Sequence, residues 1–185
     1  MRISPLLSSL ALLLGFALIA SPTLHAEEPI ALPDLEETLL NPMDPGEKKA
    51  VVLFFISPYC PTSNTFGPVM KEVAEDFGED FAFFSIHSDT SVSDQDRAVH
   101  AVLKDGEQVV AKKLGATITP EAFVIDAEGQ VLYQGRINDL YLGPTQKQQE
   151  ATTHDLKDAL EAIRAGKEVA VPKTEAVGCD LVLAE

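Results

Sequence analysis

Tryptophan is absent from the 185 residues, cysteine occurs twice, and 14 basic residues face 29 acidic ones. Two cysteines exclude a disulfide-dense scaffold and a four-thiolate zinc site. A formal charge of -15 leaves no concentrated basic face, which argues against nucleic acid and against an anionic membrane surface. No tract is of low complexity, and an apolar content of 45% excludes wholesale disorder. The length suits one domain with a tail.

Charge is also missing from the start of the chain. Arg2 is the only charged residue before Glu27, and Leu6 to Ala20 is apolar apart from Ser8, Ser9 and Gly15. Ser21-Pro22 breaks the run, and the small Ala26 precedes Glu27-Glu28. This is the layout of a secretory signal peptide over residues 1–26, cleaved after Ala26, although Leu24 replaces the usual small residue two positions earlier. The run is short for a membrane span of ~20 residues, so no stable span is expected after cleavage. An uncleaved anchor is the alternative. The expected location is periplasmic or extracellular, where two thiols can form a stable disulfide.

Beyond it, Leu32, Leu35, Leu39 and Leu40 suit a short amphipathic turn or helix. Ala50 to Ile56 is a seven-residue apolar run, expected as a strand buried on both faces. Cys60-Pro61-Thr62-Ser63 follows. Phe66, Val69, Met70, Val73, Ala74 and Phe77 then mark one helix face, with Pro61 suited to the first helical position and Gly78 to the stop. Phe81 to Ile86 reads as a second buried strand. Helices are expected over residues 89–104 and 107–114, the second stopped by Gly115. Glu121–Asp126 and Val131–Gly135 form an antiparallel hairpin, and residues 152–164 a final helix closed by Gly166. Residues 167–185 lack strong periodicity and carry Cys179. The order implies an α/β domain, a mixed sheet with helices on both faces.

A buried strand running into a Cys-Pro that opens a helix, with Thr119-Pro120 before a later strand, resembles the thioredoxin-like superfamily. The similarity is to its redoxin branch, the alkyl hydroperoxide reductase and thiol-specific antioxidant type. The segments that carry it are Tyr59 to Asn64, Leu114 to Asp126 and Tyr133 to Asp139. An exported bacterial subgroup of these proteins also has a Gly-Cys near its C-terminus, here Gly178-Cys179. The resemblance implies a thioredoxin-like domain over residues 27–166, with 167–185 as an irregular tail. It further implies a cis proline at Pro120 facing the reactive cysteine, with the Thr119-Pro120 backbone binding an extended disulfide substrate. Three departures bear on mechanism. Ser63 stands where thioredoxins have their second cysteine, Asn64 where copper-binding redoxins have theirs, and Leu53 where peroxiredoxins have a proline, although Ser57 fills their hydroxyl position.

The nucleophile in disulfide exchange and in peroxide reduction is a thiolate. Cys60 at a helix cap gains from the dipole and from unpaired N–H groups, and the hydroxyls of Ser57 and Ser63 are candidate hydrogen-bond donors. Arg136 is a candidate thiolate-supporting arginine by analogy with peroxiredoxins. The plainer reading pairs it with Asp139 or Asp126. With Ser at position 63, Cys179 is the same-chain candidate for resolving a mixed disulfide or sulfenic acid on Cys60. A permanent staple of the tail is the alternative, and so is no pairing at all. His87 near Cys60 makes only a thin metal-ligand set, so no metal and no cofactor are expected.

The leading expectation is a thiol–disulfide oxidoreductase with Cys60 as attacking thiol. Its partners would be protein or small-molecule disulfides, or peroxide, and a separate thiol electron donor. The alternatives are a thiol peroxidase, a non-catalytic binding module stapled by Cys60–Cys179, and, third, a copper carrier.

Overall fold

The computed structural model describes residues 29–89, 93 and 102–184. The expected signal segment, and all of the expected helix 89–104 between its first residue and Val102 except Ser93, lie outside the described residues. The elements in chain order are β1 (Leu32–Pro33), β2 (Leu39–Leu40), β3 (Ala50–Phe55), α1 (Pro61–Phe77), β4 (Phe81–His87), β5 (Leu103–Lys104) and α2 (Val109–Leu114). They continue with β6 (Ile118–Thr119), β7 (Glu121–Ile125), β8 (Val131–Gly135), β9 (Tyr141–Gly143), β10 (Gln146–Lys147), α3 (Asp155–Arg164) and β11 (Cys179–Asp180).

The main sheet has the order β5-β4-β3-β7-β8. β3 pairs in parallel with β4 and antiparallel with β7, and β7 pairs antiparallel with β8. Every residue of β3 is buried, which explains its continuous apolar run: both faces of this central strand are covered. Its side chains alternate between two cores, as a period of two requires. Ala50, Val52 and Phe54 meet Phe66, Met70, Val73 and Phe77 of α1 and Leu156, Ala159 and Leu160 of α3. Val51, Leu53 and Phe55 meet Val110 and Ala111 of α2, Phe123 and Ile125 of β7, and Leu181. The helices therefore cover both faces of a mixed sheet.

Three local expectations change. The leucines at 32–40 form the antiparallel pair β1–β2, because Asp34 Oδ1 accepts from the N–H groups of Glu36 (2.9 Å) and Thr38 (2.8 Å) and closes a turn. An Asx-type turn competes with a helix for the same backbone donors. Leu103 and Lys104 extend the sheet as β5 instead of ending a helix, paired in parallel with Ile86 and His87. Gly78 does cap α1, but with φ -64, so left-handed freedom is not the reason. A Cβ there would lie 2.6 Å from the carbonyl oxygen of Ala74, and glycine is needed for that close approach.

Candidate functional site

The site is built where β3 ends. Ser57, Pro58 and Tyr59 turn the chain, and Cys60 becomes the N-cap of α1 with extended backbone (φ -88, ψ 112), Pro61 opening the helix. The Cys60 N–H donates to the carbonyl of Ser57 (3.1 Å), and the Cys60 carbonyl accepts from Asn64 (3.1 Å). The Ser57 hydroxyl accepts from the Tyr59 N–H (3.3 Å), and the Ser63 hydroxyl accepts from the Ser57 N–H (3.4 Å). Both serines thus brace the turn through their lone pairs, and each hydroxyl proton is left for a further acceptor. First-turn N–H groups of a helix have no intrahelical partner, so a thiolate at this cap meets the positive end of the dipole.

Cys60 is 1% exposed and is disulfide-bonded to Cys179, with 5.8 Å between the Cα atoms and 119 residues of sequence separation. The pairing left open by the sequence is therefore present. Thr119-Pro120 is a cis peptide bond, and the Thr119 carbonyl oxygen lies 3.0 Å from Cys60 Sγ. The tail reaches this point as a strand. β11 pairs antiparallel with β6, Cys179 opposite Thr119 and Asp180 opposite Ile118. The Leu181 N–H donates to the Thr117 carbonyl (2.7 Å), and the Thr119 hydroxyl donates to the Cys179 carbonyl (3.3 Å). Gln108 holds the end of the tail, its Nε2 donating to the Val182 carbonyl (2.9 Å) and its Oε1 accepting from Ala184 (2.6 Å). Leu181 is 8% exposed, and burying such a side chain contributes about 2 kcal/mol to docking.

A cavity of about 400 Å³ opens beside the disulfide, lined by Ser57, Tyr59, Asp89, Asp180, Leu181 and Val182 together with Cys60, Thr119 and Cys179. Ser57, Thr119, Cys60 and Cys179 of the sequence-derived set therefore converge. Ser63 sits directly behind Ser57, and Pro120 follows Thr119 on the loop. Arg136 stands apart. Its Nε and Nη2 donate to the Asp155 carboxylate at 2.9 and 3.1 Å. The partner is Asp155 and not Asp139 or Asp126, because α3 starts beside the end of β8. Burial opposes ionisation of Asp155, but hydrogen bonds from Arg136 and Thr153 outweigh it and hold the carboxyl below its ordinary range. His87 is buried at the end of β4 and does not line the cavity.

A second anchor fixes the tail further back. Gln134 exchanges backbone hydrogen bonds with Pro172 and Thr174 (2.9 Å each). Tyr133 donates its hydroxyl proton to the Arg136 carbonyl (2.6 Å), so the 2.8 Å contact with Thr174 is donated by the threonine. The Thr174 hydroxyl in turn accepts from the Arg136 N–H (3.0 Å). Burial pushes the Tyr133 phenol up from 10.0 to about 12. Gly135 has φ +143, and a Cβ there would lie 2.2 Å from Thr174 Oγ1. The backbone of β8 can take the tail this closely only with glycine.

Sequence reasoning overlooked Leu181, Thr117 and Glu121. Cys179, Leu181 and Leu183 alternate, a period-two signal too short to stand out. Glu121 is buried, accepting from the Thr117 N–H (3.2 Å) and from Gln134 Nε2 (3.0 Å). It ties the proline loop to β8. Its position next to Pro120 in an otherwise apolar strand was the available signal. Among the described residues no group of three or more His, Cys, Asp or Glu is placed to hold a metal ion, and no helix is long and apolar enough to cross a membrane.

Among solved structures, the chain is similar to a hypothetical protein from Sinorhizobium meliloti, at 26% identity and TM-score 0.69, covering 84% of this chain and 91% of that one. It is similar to an uncharacterized conserved protein from Geobacillus kaustophilus, at 21% identity and TM-score 0.71, covering 85% and 89%. A secreted Mycobacterium tuberculosis disulfide oxidoreductase matches at 16% identity and TM-score 0.52, covering 72% and 96%, and shares the thioredoxin-like fold. No curated protein matches significantly. The family model for AhpC/TSA matches residues 28–134, which takes in β3, the Cys60 turn, α1 and the Thr119-Pro120 loop. With a thioredoxin-like sheet and a cysteine capping the helix after its central strand, the chain belongs to the AhpC/TSA family.

Proposed function

We propose that the protein is an exported thiol–disulfide oxidoreductase in which Cys60 attacks and Cys179 resolves. The observation that carries this reading is the Cys60–Cys179 disulfide at the N-cap of α1, beside the Thr119-Pro120 loop. In the reduced protein, the Cys60 thiolate attacks one sulfur of a substrate disulfide and expels the other as a thiolate. The Cys179 thiolate then attacks Cys60 Sγ, releases the second substrate thiolate and forms Cys60–Cys179. Two electrons pass from the protein dithiol to the substrate, whose thiolates take up two protons. A thiol donor restores the dithiol and is itself oxidised to a disulfide. Export fits the apolar segment before Glu27, and a solved neighbour of the same fold is described as secreted.

Membership of the AhpC/TSA family favours a second reading, peroxide reduction. Cys60 would be oxidised to a sulfenic acid with release of an alcohol or water, and Cys179 would condense with it, releasing water. The Ser57 hydroxyl, which lines the cavity, suits a peroxide oxygen, whereas Arg136 is engaged by Asp155.

The deciding experiment is steady-state turnover with a protein disulfide and with hydrogen peroxide, using dithiothreitol as donor. Disulfide turnover is expected to vanish in Cys60→Ser, and reduced Cys179→Ser, mixed with the substrate disulfide in the absence of dithiothreitol, is expected to stall as a mixed disulfide on Cys60. Faster peroxide than disulfide turnover would move the assignment to a peroxidase. Wild-type rates no higher than those of Cys60→Ser with both substrates would leave a stapled binding module.

A further inference from the structure

We propose, resting on the disulfide-exchange reading above, that the docked tail is a cast of the substrate. The site then takes an extended peptide in which a glycine precedes the reacting cysteine and an apolar residue stands two positions after it.

Three observations carry this. First, access to Cys60 is narrow: its sulfur is buried and bonded to a sulfur delivered by a strand on the β6 edge. Among the described residues β6 pairs with β11 alone, so a peptide that displaces the tail and brings its own sulfur to the same point has that backbone edge to pair with. Second, the residue before the cysteine has no room for a side chain. A Cβ on Gly178 would lie 2.1 Å from the Thr119 carbonyl oxygen, 2.7 Å from its carbon and 3.2 Å from Pro120 Cδ. These are backbone and ring atoms, which cannot swing aside as the end of a flexible side chain does. Third, alternation along a strand puts the side chain two positions after the cysteine on the cysteine's own side. There Leu181 is inserted among Leu53, Phe55, Val110 and Phe123, and its N–H is held by Thr117. The intervening Asp180 is exposed, and Val182 is 80% exposed, so neither position selects.

The same overlap gives the cycle a direction. A substrate strand and the tail compete for one edge. When Cys179 attacks Cys60 Sγ and breaks the bond to the peptide sulfur, the tail takes back the pairing with β6 and the peptide leaves as a thiol.

The test uses full-length, reduced Cys179→Ser and three peptides whose cysteine carries nitrothiobenzoate as a mixed disulfide. Their cores are Gly-Cys-Asp-Leu, Val-Cys-Asp-Leu and Gly-Cys-Asp-Ser. Cys60 attacks the peptide sulfur and expels the coloured thiolate, and each rate is divided by the rate of that peptide with free glutathione. Replacing the glycine by valine is expected to slow the reaction by about tenfold or more, since overpacking against fixed backbone displaces the strand. Replacing the leucine by serine is expected to slow it severalfold. In the otherwise wild-type chain, Gly178→Val is expected to shift the Cys60–Cys179 equilibrium toward the dithiol by about tenfold in graded glutathione buffers. Equal rates for the glycine and valine peptides, or an unshifted equilibrium in Gly178→Val, would overturn the inference. If no peptide reacts while nitrothiobenzoate-linked glutathione does, the inference alone falls. If Cys60 reacts with neither, the oxidoreductase assignment falls with it.

Discussion

Reducing Cys60–Cys179 is predicted to lower stability by an amount set by chain topology. The bond joins residues 119 apart, and the chain-entropy model assigns a loop of that size about 5 kcal/mol at room temperature. A thermodynamic cycle turns this into a redox statement. If the oxidised fold is more stable than the reduced fold by about 5 kcal/mol, the disulfide is harder to reduce in the folded chain than in the unfolded one by the same amount. For a two-electron couple that is about 100 mV. In that model the difference arises in the unfolded state, whose ensemble the cross-link narrows. The assay is urea unfolding of oxidised and of fully reduced protein, with the potential in water and in denaturant read by alkylation and intact mass. The oxidised form should show the higher midpoint and a smaller slope, because a cross-linked denatured chain exposes less surface. Stabilities within about 1 kcal/mol of each other would refute this reasoning. So would equal potentials in the folded and unfolded chains.

Other perturbations probe the tail anchor and the core. Tyr133 is neutral in the fold up to about pH 12, whereas an unfolded tyrosine ionises near 10. Its contribution is whole below about pH 10 and is lost as pH rises toward about 12, by up to about 3 kcal/mol; urea unfolding at about pH 9 and about pH 11, with Tyr133→Phe as control, reads the loss. At the acid end, Asp139 accepts from the hydroxyl and N–H of Thr152 and from the Thr153 N–H, which pulls its carboxyl well below the ordinary range. Its contribution is complete above about pH 4 and falls as the carboxyl protonates below that, so Asp139→Asn should flatten the acid limb of a stability–pH curve. Gly135→Val combines a positive φ with a clash against Thr174 and should cost about 3 kcal/mol, freeing residues 172–174 to tryptic cleavage at Lys173. Leu160→Ala, at a fully buried α3 position, should cost about 2–5 kcal/mol by calorimetry or urea unfolding.

Much of the fold was readable from periodicity. The unbroken run Ala50–Ile56 marked a strand covered on both faces, and the Phe66–Phe77 stripe marked the helix that covers one of them. In each case burial is encoded one residue at a time. The five-residue connection between β7 and β8 carries Gly129, so the hairpin could be read as well. Such patterns are local, and local geometry converts them into elements without knowledge of the rest of the chain. The elements misread are those in which a side chain or a distant strand intervened. Asp34 captured N–H groups that a helix would have used, and Leu103–Lys104 was drawn into the sheet by Ile86 and His87.

The site divides along the same line. A cysteine capping a helix after a buried strand, and a Thr-Pro ahead of another, were legible as chemistry because each lies within a few residues. The Cys60–Cys179 pairing, the β6–β11 ladder, the room left by Gly135 and Gly178, and the pairing of Arg136 with Asp155 were not. Each depends on two segments separated by 19 to 119 residues, and which partner wins is set by packing and backbone hydrogen bonds that form only when the sheet is complete. Cysteine identity is local information; whether two sulfurs meet is a property of the folded chain.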